Sequence, residues 1–344
     1  MPNAVKFALI GVGGFGGRWV DALAGCRQAK TVALVDVNPA NLVAAGEKLG
    51  LSAQKQFGSL DKALAVGFDA AVVCTPPASR KPIYEALAKA GKHILTEKPL
   101  AETPADARTA VALKKRFGIH FVVSQNYRYQ AAVQTLKRLL SDGTYGKPGA
   151  CQVDFFKYPR FHGFREQMPY PLIIDMSIHH FDMARFLLGA DPLSVVGKSW
   201  NGPWSVMKGD AAGTLVFEMS GGVHFAYNSS WTTLRPAEHQ TDWNATWYVE
   251  CERGCIVMKD SKITAWPWRL DDNGMPSWGA GETIDVGEFA GDQPYVLNQF
   301  IAQLRGGPTC QTTVEDNIKS MAMVFAAVEA FKKRTGIDVA AMTK

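Results

Sequence analysis

The sequence predicts a parallel, doubly wound α/β domain followed by an α+β domain with a large, mostly antiparallel open sheet. Three observations carry that expectation. Up to about residue 124, short apolar runs alternate with helix-like segments, the pattern of a parallel sheet covered by helices on both faces. A glycine-rich turn follows directly on the first apolar run. Beyond Gly146 the chain changes to β-like runs joined by short glycine or charged turns.

KFALI reads as a buried first strand, and GVGGFGGRW turns the chain from it into a helix. Gly11, Gly13 and Gly16, interleaved with Val12, Gly14 and Phe15, satisfy the G-x-G-x-x-G spacing. Asp36 closes the next strand, VALVD, about twenty residues further on. This combination fits the Rossmann turn around a dinucleotide pyrophosphate. Gly11 permits the tight turn, and Gly13 lets backbone N–H groups approach the phosphates. Gly16 lets the helix pack on the sheet, and the helix N-terminus favours the anion. AAVVCT, HILTE and HFVVSQ supply further strands. PANLVAAGEKLG and RKPIYEALAKAG read as helices that end in glycine.

AAVQTLKRLLSDG leads away as a helix. GACQVDFFKY, GTLVFEM, GVHFAYNSSW, ATWYVEC, GCIVMKD and KITAWPW then read as strands, with ERG as the hairpin turn between YVE and IVM. The helix LIIDMSIHHFDMARFLLG interrupts them, and VEDNIKSMAMVFAAVEAFKKRTG closes the chain. Residues 1–124 are assigned to the dinucleotide-binding domain and 125–344 to the second domain. The last helix is expected to pack back on the first domain.

With 344 residues, two domains are the natural expectation. Hydrophobic residues at 47% and charged residues at 20% are ordinary for a globular enzyme. The net charge is +5, but the basic residues are scattered, and KKRFG and FKKRTG sit at helix ends where cations suit the dipole. Nucleic acid is therefore not an expected partner. No apolar run approaches membrane-spanning length, and the N-terminal run contains the glycine turn, unlike a signal peptide. The six cysteines show no paired zinc spacing. No metal is expected, and a reduced cytoplasmic protein is the simplest reading.

Ligands of parallel sheets sit at the carboxyl ends of the strands. Three strand ends carry chemistry here: Thr75-Pro76-Pro77 running on to Arg80, Glu97-Lys98-Pro99, and Gln125-Asn126-Tyr127-Arg128-Tyr129. In the interrupting helix Asp175, His179 and Asp182 fall at i, i+4 and i+7 and share one face. An aspartate beside an imidazole orients it and stabilises its protonated form. His180, off that face, is expected to be a hydrogen-bonded core residue.

In order, GVGGFG, VDVN, CTPPASR, EKPLAET, QNYRY, DMSIHHFD and the terminal VEDNIKSMAMVFAAVEAFKKRTG resemble the glucose–fructose oxidoreductase, inositol dehydrogenase and rhizopine-catabolism (Gfo/Idh/MocA) family over almost the whole chain. The resemblance implies a Rossmann domain plus an open-sheet domain often used for oligomerisation. It also implies NAD(P)-linked oxidation or reduction of sugar or cyclitol hydroxyls. Lys98 is then the lysine near nicotinamide and the reacting hydroxyl. His179 is the general acid/base and Asp175 its substrate-binding or orienting partner. A lysine ammonium can donate to the hydroxyl oxygen, and an imidazole, free pKa ~6.5, can accept its proton. Two departures stand out. Pro77 and Arg80 replace the family's usual Asn and His, and MPYPLII with Ser177 replaces a glycine-rich run before the catalytic helix.

Asp36-Val37-Asn38 favours NAD over NADP, because the carboxylate accepts from ribose hydroxyls and repels a 2′-phosphate. Thr75, Pro76, Pro77, Arg80, Glu97, Lys98 and Asn126 are the remaining expected cofactor contacts. The segment with Lys157, Tyr158, Arg160, His162 and Arg165 is either a solvated basic loop or a grip on a substrate anion. Arg128 and His239, the latter with Arg235 in WTTLRPAEHQTDW, are further substrate candidates. Trp231, Trp243 and Trp247 serve either a sugar ring or the sheet core. The leading reading is an NAD-dependent dehydrogenase of a sugar, cyclitol, sugar acid or glycoside, assembled as a homodimer or homotetramer through the second sheet. The alternatives are an NAD-dependent glycoside hydrolase working by transient C3 oxidation and a non-catalytic sugar or nucleotide sensor.

Overall fold

The computed structural model describes residues 4–161, 163–288 and 291–343. They form two compact units, one taking the chain up to Asn126 together with Gly291–Ile318 and the other taking the remainder. In chain order the helices are α1 (Gly16–Gly25), α2 (Pro39–Leu49), α3 (Leu60–Leu64), α4 (Arg80–Lys89), α5 (Pro104–Phe117), α6 (Ala131–Ser141), α7 (Phe164–Gln167), α8 (Ser177–Leu188), α9 (Gln293–Leu304) and α10 (Val314–Lys333).

The first unit is built on β1 (Val5–Ile10), β2 (Ala29–Val35), β3 (Gln56–Phe57), β4 (Ala70–Val73), β5 (His93–Glu97) and β6 (Phe121–Ser124), in the order β3-β2-β1-β4-β5-β6. Every neighbouring pair is parallel. β4 and β6 are buried along their whole length, as continuous apolar runs in a sheet covered on both faces must be. The order reverses between β1 and β4, which puts the glycine turn at the switch point of the sheet. Local chemistry sets the helix ends. The Asn38 side chain accepts from Ala40 N with Pro39 in the first turn, and Gly50 at φ 63° stops α2.

Residues 291–318, grouped with the second domain by the sequence reading, belong to this unit. Phe300 of α9 packs on Phe7 of β1 at 6.3 Å between centroids. Thr312 extends the edge of β6, its carbonyl accepting from Val123 N at 2.9 Å and its Oγ1 donating to Val123 O at 2.7 Å. Such pairing joins residues far apart in the chain and leaves no local pattern.

The second unit carries β7 (Pro148–Phe156), β8 (Pro192–Trp200), β9 (Ala212–Met219), β10 (Val223–Ser230), β11 (Thr246–Cys251), β12 (Gly254–Lys259), β13 (Lys262–Leu270), β14 (Pro276–Trp278), β15 (Glu282–Ile284) and β16 (Ile337–Asp338). The order is β14-β13-β12-β11-β7-β10-β9-β8-β16, with β15 beside β13. β7 and β10 run parallel, and the other pairs are antiparallel. β11 and β12 meet across Glu252-Arg253, the expected hairpin. One face of the sheet is core: Phe181 of α8 meets Phe217 edge-on at 5.1 Å and Tyr227 at 5.2 Å. Trp231 and Trp247 are buried in this unit, so they serve its core and not a sugar ring. On the other face Val196, Val216 and Tyr248 are exposed. The predicted doubly wound α/β plus open-sheet α+β architecture is what the chain adopts.

No helix among the described residues is long and apolar enough to cross a membrane.

Candidate active site

The glycine turn is held by the carboxylate expected to meet a ribose. Asp36 Oδ2 accepts from Val12 N at 2.9 Å and Gly13 N at 3.2 Å. Its Oδ1 accepts from Asn38 N at 2.8 Å and Asn41 Nδ2 at 3.3 Å. Four donors occupy a carboxylate's roughly four acceptor positions. The two longer contacts, to Gly13 and Asn41, are those a ribose hydroxyl could replace. Gly11 has φ 83°, and a Cβ there would lie 2.8 Å from the Cys74 carbonyl carbon and oxygen. A Cβ on Gly16 would lie 2.2 Å from Gly11 O, so strand and helix approach only without side chains. Val37 and Phe15 are exposed.

These residues fit a dinucleotide. The first turn of α1 has no acidic residue and no side-chain cap, leaving its N–H groups to an anion from outside. Thr75 Oγ1, at the end of β4, is buried and has no hydrogen-bond partner, a donor left for a ligand. Pro76 is exposed, and Pro77 opens a short 3₁₀ turn through Ser79. Asn126 is half-buried at the end of β6.

Arg80 does something other than the predicted cofactor contact. Its side chain is buried, 3% exposed. Nε donates to Thr75 O at 2.8 Å, and Nη1 donates to both Glu97 O and Pro99 O. Glu97 is buried as well and works inside the protein: Oε1 accepts from Trp19 Nε1 at 2.9 Å and Oε2 from Lys98 N at 3.1 Å. Burial pushes the Glu97 carboxyl up, against the pull of Lys98, Trp19 and Arg80. Lys98 is half-buried, and its peptide bond to Pro99 is cis. Trp19 escaped the sequence reading because it looks like an ordinary apolar residue of α1.

In the second unit, His179 lies under Tyr127, stacked at 4.1 Å and 21°. The Tyr127 phenol is pushed up by burial, then by the charges of Asp242 and Asp175. Tyr127 lies in the QNYRY string, where nothing in the sequence distinguishes it from its neighbours. The helix holding these residues is not uniform. Leu172–Met176 forms a π-helical turn before α8 begins, a distortion often found at functional sites. Asp182, expected to support the imidazole, is instead a core carboxylate. Its partners are Arg128, bidentate with Nη2 to Oδ1 at 2.7 Å, and Ser320 Oγ at 2.7 Å. Arg128, predicted to meet substrate, is thereby a buried structural cation that also covers Phe186 at 5.4 Å.

His180 is the expected core histidine. Nε2 donates to Trp243 O at 3.0 Å, which leaves Nδ1 to accept from Tyr227 Oη at 2.8 Å. Burial lowers its pKa to about 4.

The basic segment divides. Arg165 Nε donates to Asp175 Oδ2 at 2.6 Å, with the guanidinium 4.9 Å from the Phe161 ring and 4.8 Å from Phe164. Lys157 Nζ donates to Thr241 O at 2.8 Å and covers Trp243. Tyr158 Oη donates to Trp204 O at 3.3 Å, Arg160 is exposed, and His162 lies outside the described residues. His239 is exposed, lining a depression of about 420 Å³ with Arg235, Glu238, Tyr248 and Lys259. That depression includes neither Asp175 nor His179.

An oxidoreductase family model described as having an NAD-binding Rossmann fold (GFO_IDH_MocA) matches residues 5–125. A GFO/IDH/MocA C-terminal domain model matches residues 133–257. The chain is 30% identical to a D-apiose dehydrogenase of Paraburkholderia graminis, over 93% of this chain and 86% of the other. An inositol 2-dehydrogenase of Rhizobium meliloti is 31% identical over 56% of this chain and 57% of its own. An Agrobacterium radiobacter oxidoreductase, solved with NAD+, L-tartaric acid and magnesium, superposes with a TM-score of 0.87. It is 22% identical, covering 99% of this chain and all of the other, and that likeness shows the fold.

Proposed function

The chain belongs to the Gfo/Idh/MocA family of NAD-binding oxidoreductases, and from that premise we propose that it oxidises or reduces one secondary hydroxyl or ketone of a sugar, cyclitol, sugar acid or glycoside. The observation that carries the proposal is the Glu97–Pro99 turn. A buried carboxylate and a buried guanidinium hold the backbone around Lys98 at the carboxyl end of a parallel strand, where ligands of such sheets bind. The D-apiose dehydrogenase relative, matching nearly the whole chain, supports the substrate class.

In this reading His179 takes the hydroxyl proton, and the Lys98 ammonium, the second proton-transfer group, donates a hydrogen bond to the hydroxyl oxygen. Asp175, paired with Arg165, holds the substrate beside the imidazole. The glycine turn, Asp36 and Thr75 would hold NAD, which when bound supplies the hydride-accepting nicotinamide. The exposed Val196, Val216 and Tyr248 on the second sheet support assembly as a homodimer or homotetramer. The free cysteines support a reducing compartment such as the cytoplasm.

The test is a panel of sugars, cyclitols, sugar acids and aryl glycosides, read by both NADH absorbance and aglycone release. NADH formation on one class is expected, falling at least ~100-fold in Lys98→Ala and His179→Ala. Full turnover in both variants would end the proton-transfer assignment. Aglycone release without NADH would replace the dehydrogenase with the hydrolase reading.

A further inference from the structure

We propose that Arg80 is a positioning residue for Lys98, one guanidinium tying the end of β4 to both sides of the Glu97–Pro99 turn. The inference rests on the assignment of Lys98 to proton transfer made above. Arg80 replaces the histidine usual in the family at a position expected to touch cofactor, yet its guanidinium reaches three backbone carbonyls and also bonds the Tyr84 side chain. Nε reaches Thr75 O, and Nη1 reaches Glu97 O and Pro99 O. The last two carbonyls belong to the residues immediately before and after Lys98. Between them, the Lys98 N–H is taken by the Glu97 carboxylate, itself fixed by Trp19.

The backbone of Lys98 is therefore clamped from three directions. That matters because a lysine side chain is a flexible four-carbon stem with a point charge at its end. Fixing the Cα does not freeze the stem, but it limits the volume in which the ammonium can be found. Misplacement by about 1 Å can cost on the order of 10²-fold in rate. The geometry also needs arginine. An imidazole offers at most two ring donors, and an ammonium offers three from a single point. The guanidinium spreads five donors over a rigid fork and stays charged when buried. Two loops from successive strands can be reached at once only by such a fork.

Arg80→Gln and Arg80→Lys are compared with wild type and with Lys98→Ala. Hydrogen exchange of residues 97–101 reports the clamp without turnover, with the amides of β12 as an internal control. Tryptophan fluorescence gives NAD+ affinity, and kcat and KM are taken on the best substrate of the panel. In Arg80→Gln we expect exchange at 97–101 to quicken at least ~10-fold with β12 unchanged. NAD+ affinity should stay within about threefold, while kcat falls ~10- to 100-fold. Arg80→Lys, which keeps the charge, should fall between and serves if the glutamine variant does not fold. Unchanged exchange at 97–101 overturns the proposal. So does a fall in kcat/KM that merely follows lost NAD+ affinity, since that is the behaviour of a cofactor contact. If Lys98→Ala keeps its turnover, the assignment of Lys98 fails, and the exchange result still decides whether the clamp exists.

Discussion

Tyr127 lies flat on the imidazole of His179, ring centroids 4.1 Å apart and planes inclined by 21°. Stacking of this kind contributes about 0.5–1.5 kcal/mol beyond the area it buries and covers one face of the buried imidazole. Tyr127→Phe keeps the face and should hold kcat within about twofold. Tyr127→Leu should lower kcat ~3- to 10-fold without changing NAD+ affinity, a range that follows from the same stacking energy. Steady-state kinetics on both variants decide it, and equal behaviour of Phe and Leu would deny the stack a role.

Asp36 gathers Val12, Gly13, Asn38 and Asn41 onto one carboxylate. Asp36→Ala should therefore loosen the glycine turn as well as remove the ribose partner. NAD+ is expected to bind at least ~10-fold more weakly, a loss of about 1.4 kcal/mol, with discrimination against NADP+ relaxed. Fluorescence titration with both nucleotides measures this. An unchanged NAD+/NADP+ ratio would contradict it.

Arg128→Met leaves Asp182 buried with Ser320 as its remaining hydrogen-bond partner among the described residues. Removing one member of a buried ion pair typically costs about 3–5 kcal/mol, and urea unfolding should show a loss of that order. The KM for substrate should be unchanged in the folded variant. A raised KM at wild-type stability would return Arg128 to the substrate site.

His180 gives a pH dependence of definite sign. Its folded pKa of about 4 lies below the ordinary histidine value of 6.5, so the unfolded chain takes up the proton first. The contribution is fully present above pH 6.5 and is lost as pH falls toward 4, with no further loss below. Two to three pKa units correspond to roughly 3 kcal/mol. Urea unfolding of wild type and His180→Asn at pH 7.5 and 4.5 should show a smaller drop for the variant. Parallel drops would assign the acid sensitivity elsewhere.

The doubly wound sheet and the glycine turn were legible because apolar runs and glycine spacing are local signals. The proposal of Lys98, Asp175 and His179 comes from motif resemblance, which is also a local signal. What escaped was the work of charged side chains that point inward. Arg80, Arg128 and Asp182 look like surface or ligand residues in one dimension, since nothing local announces a partner dozens of residues away. Arg165 stands out in the sequence as one of a run of basic residues, but its pairing with Asp175 joins side chains ten residues apart and leaves no local pattern. Tyr127 and Trp19 were hidden for the opposite reason: aromatic residues are expected in cores, and only geometry shows which one touches a histidine or a carboxylate.

The glycines of the turn will not respond alike to substitution. Gly14 has φ 53° and open space where a Cβ would go, whereas at Gly16 a Cβ would lie 2.2 Å from Gly11 O. Alanine at Gly14 meets only a left-handed backbone preference of about 1–2 kcal/mol. Alanine at Gly16 must lift α1 from the strand before any phosphate is involved. A nucleotide-binding defect at Gly16 is therefore a report on helix packing, and Gly14 is the position at which substitution probes the turn itself.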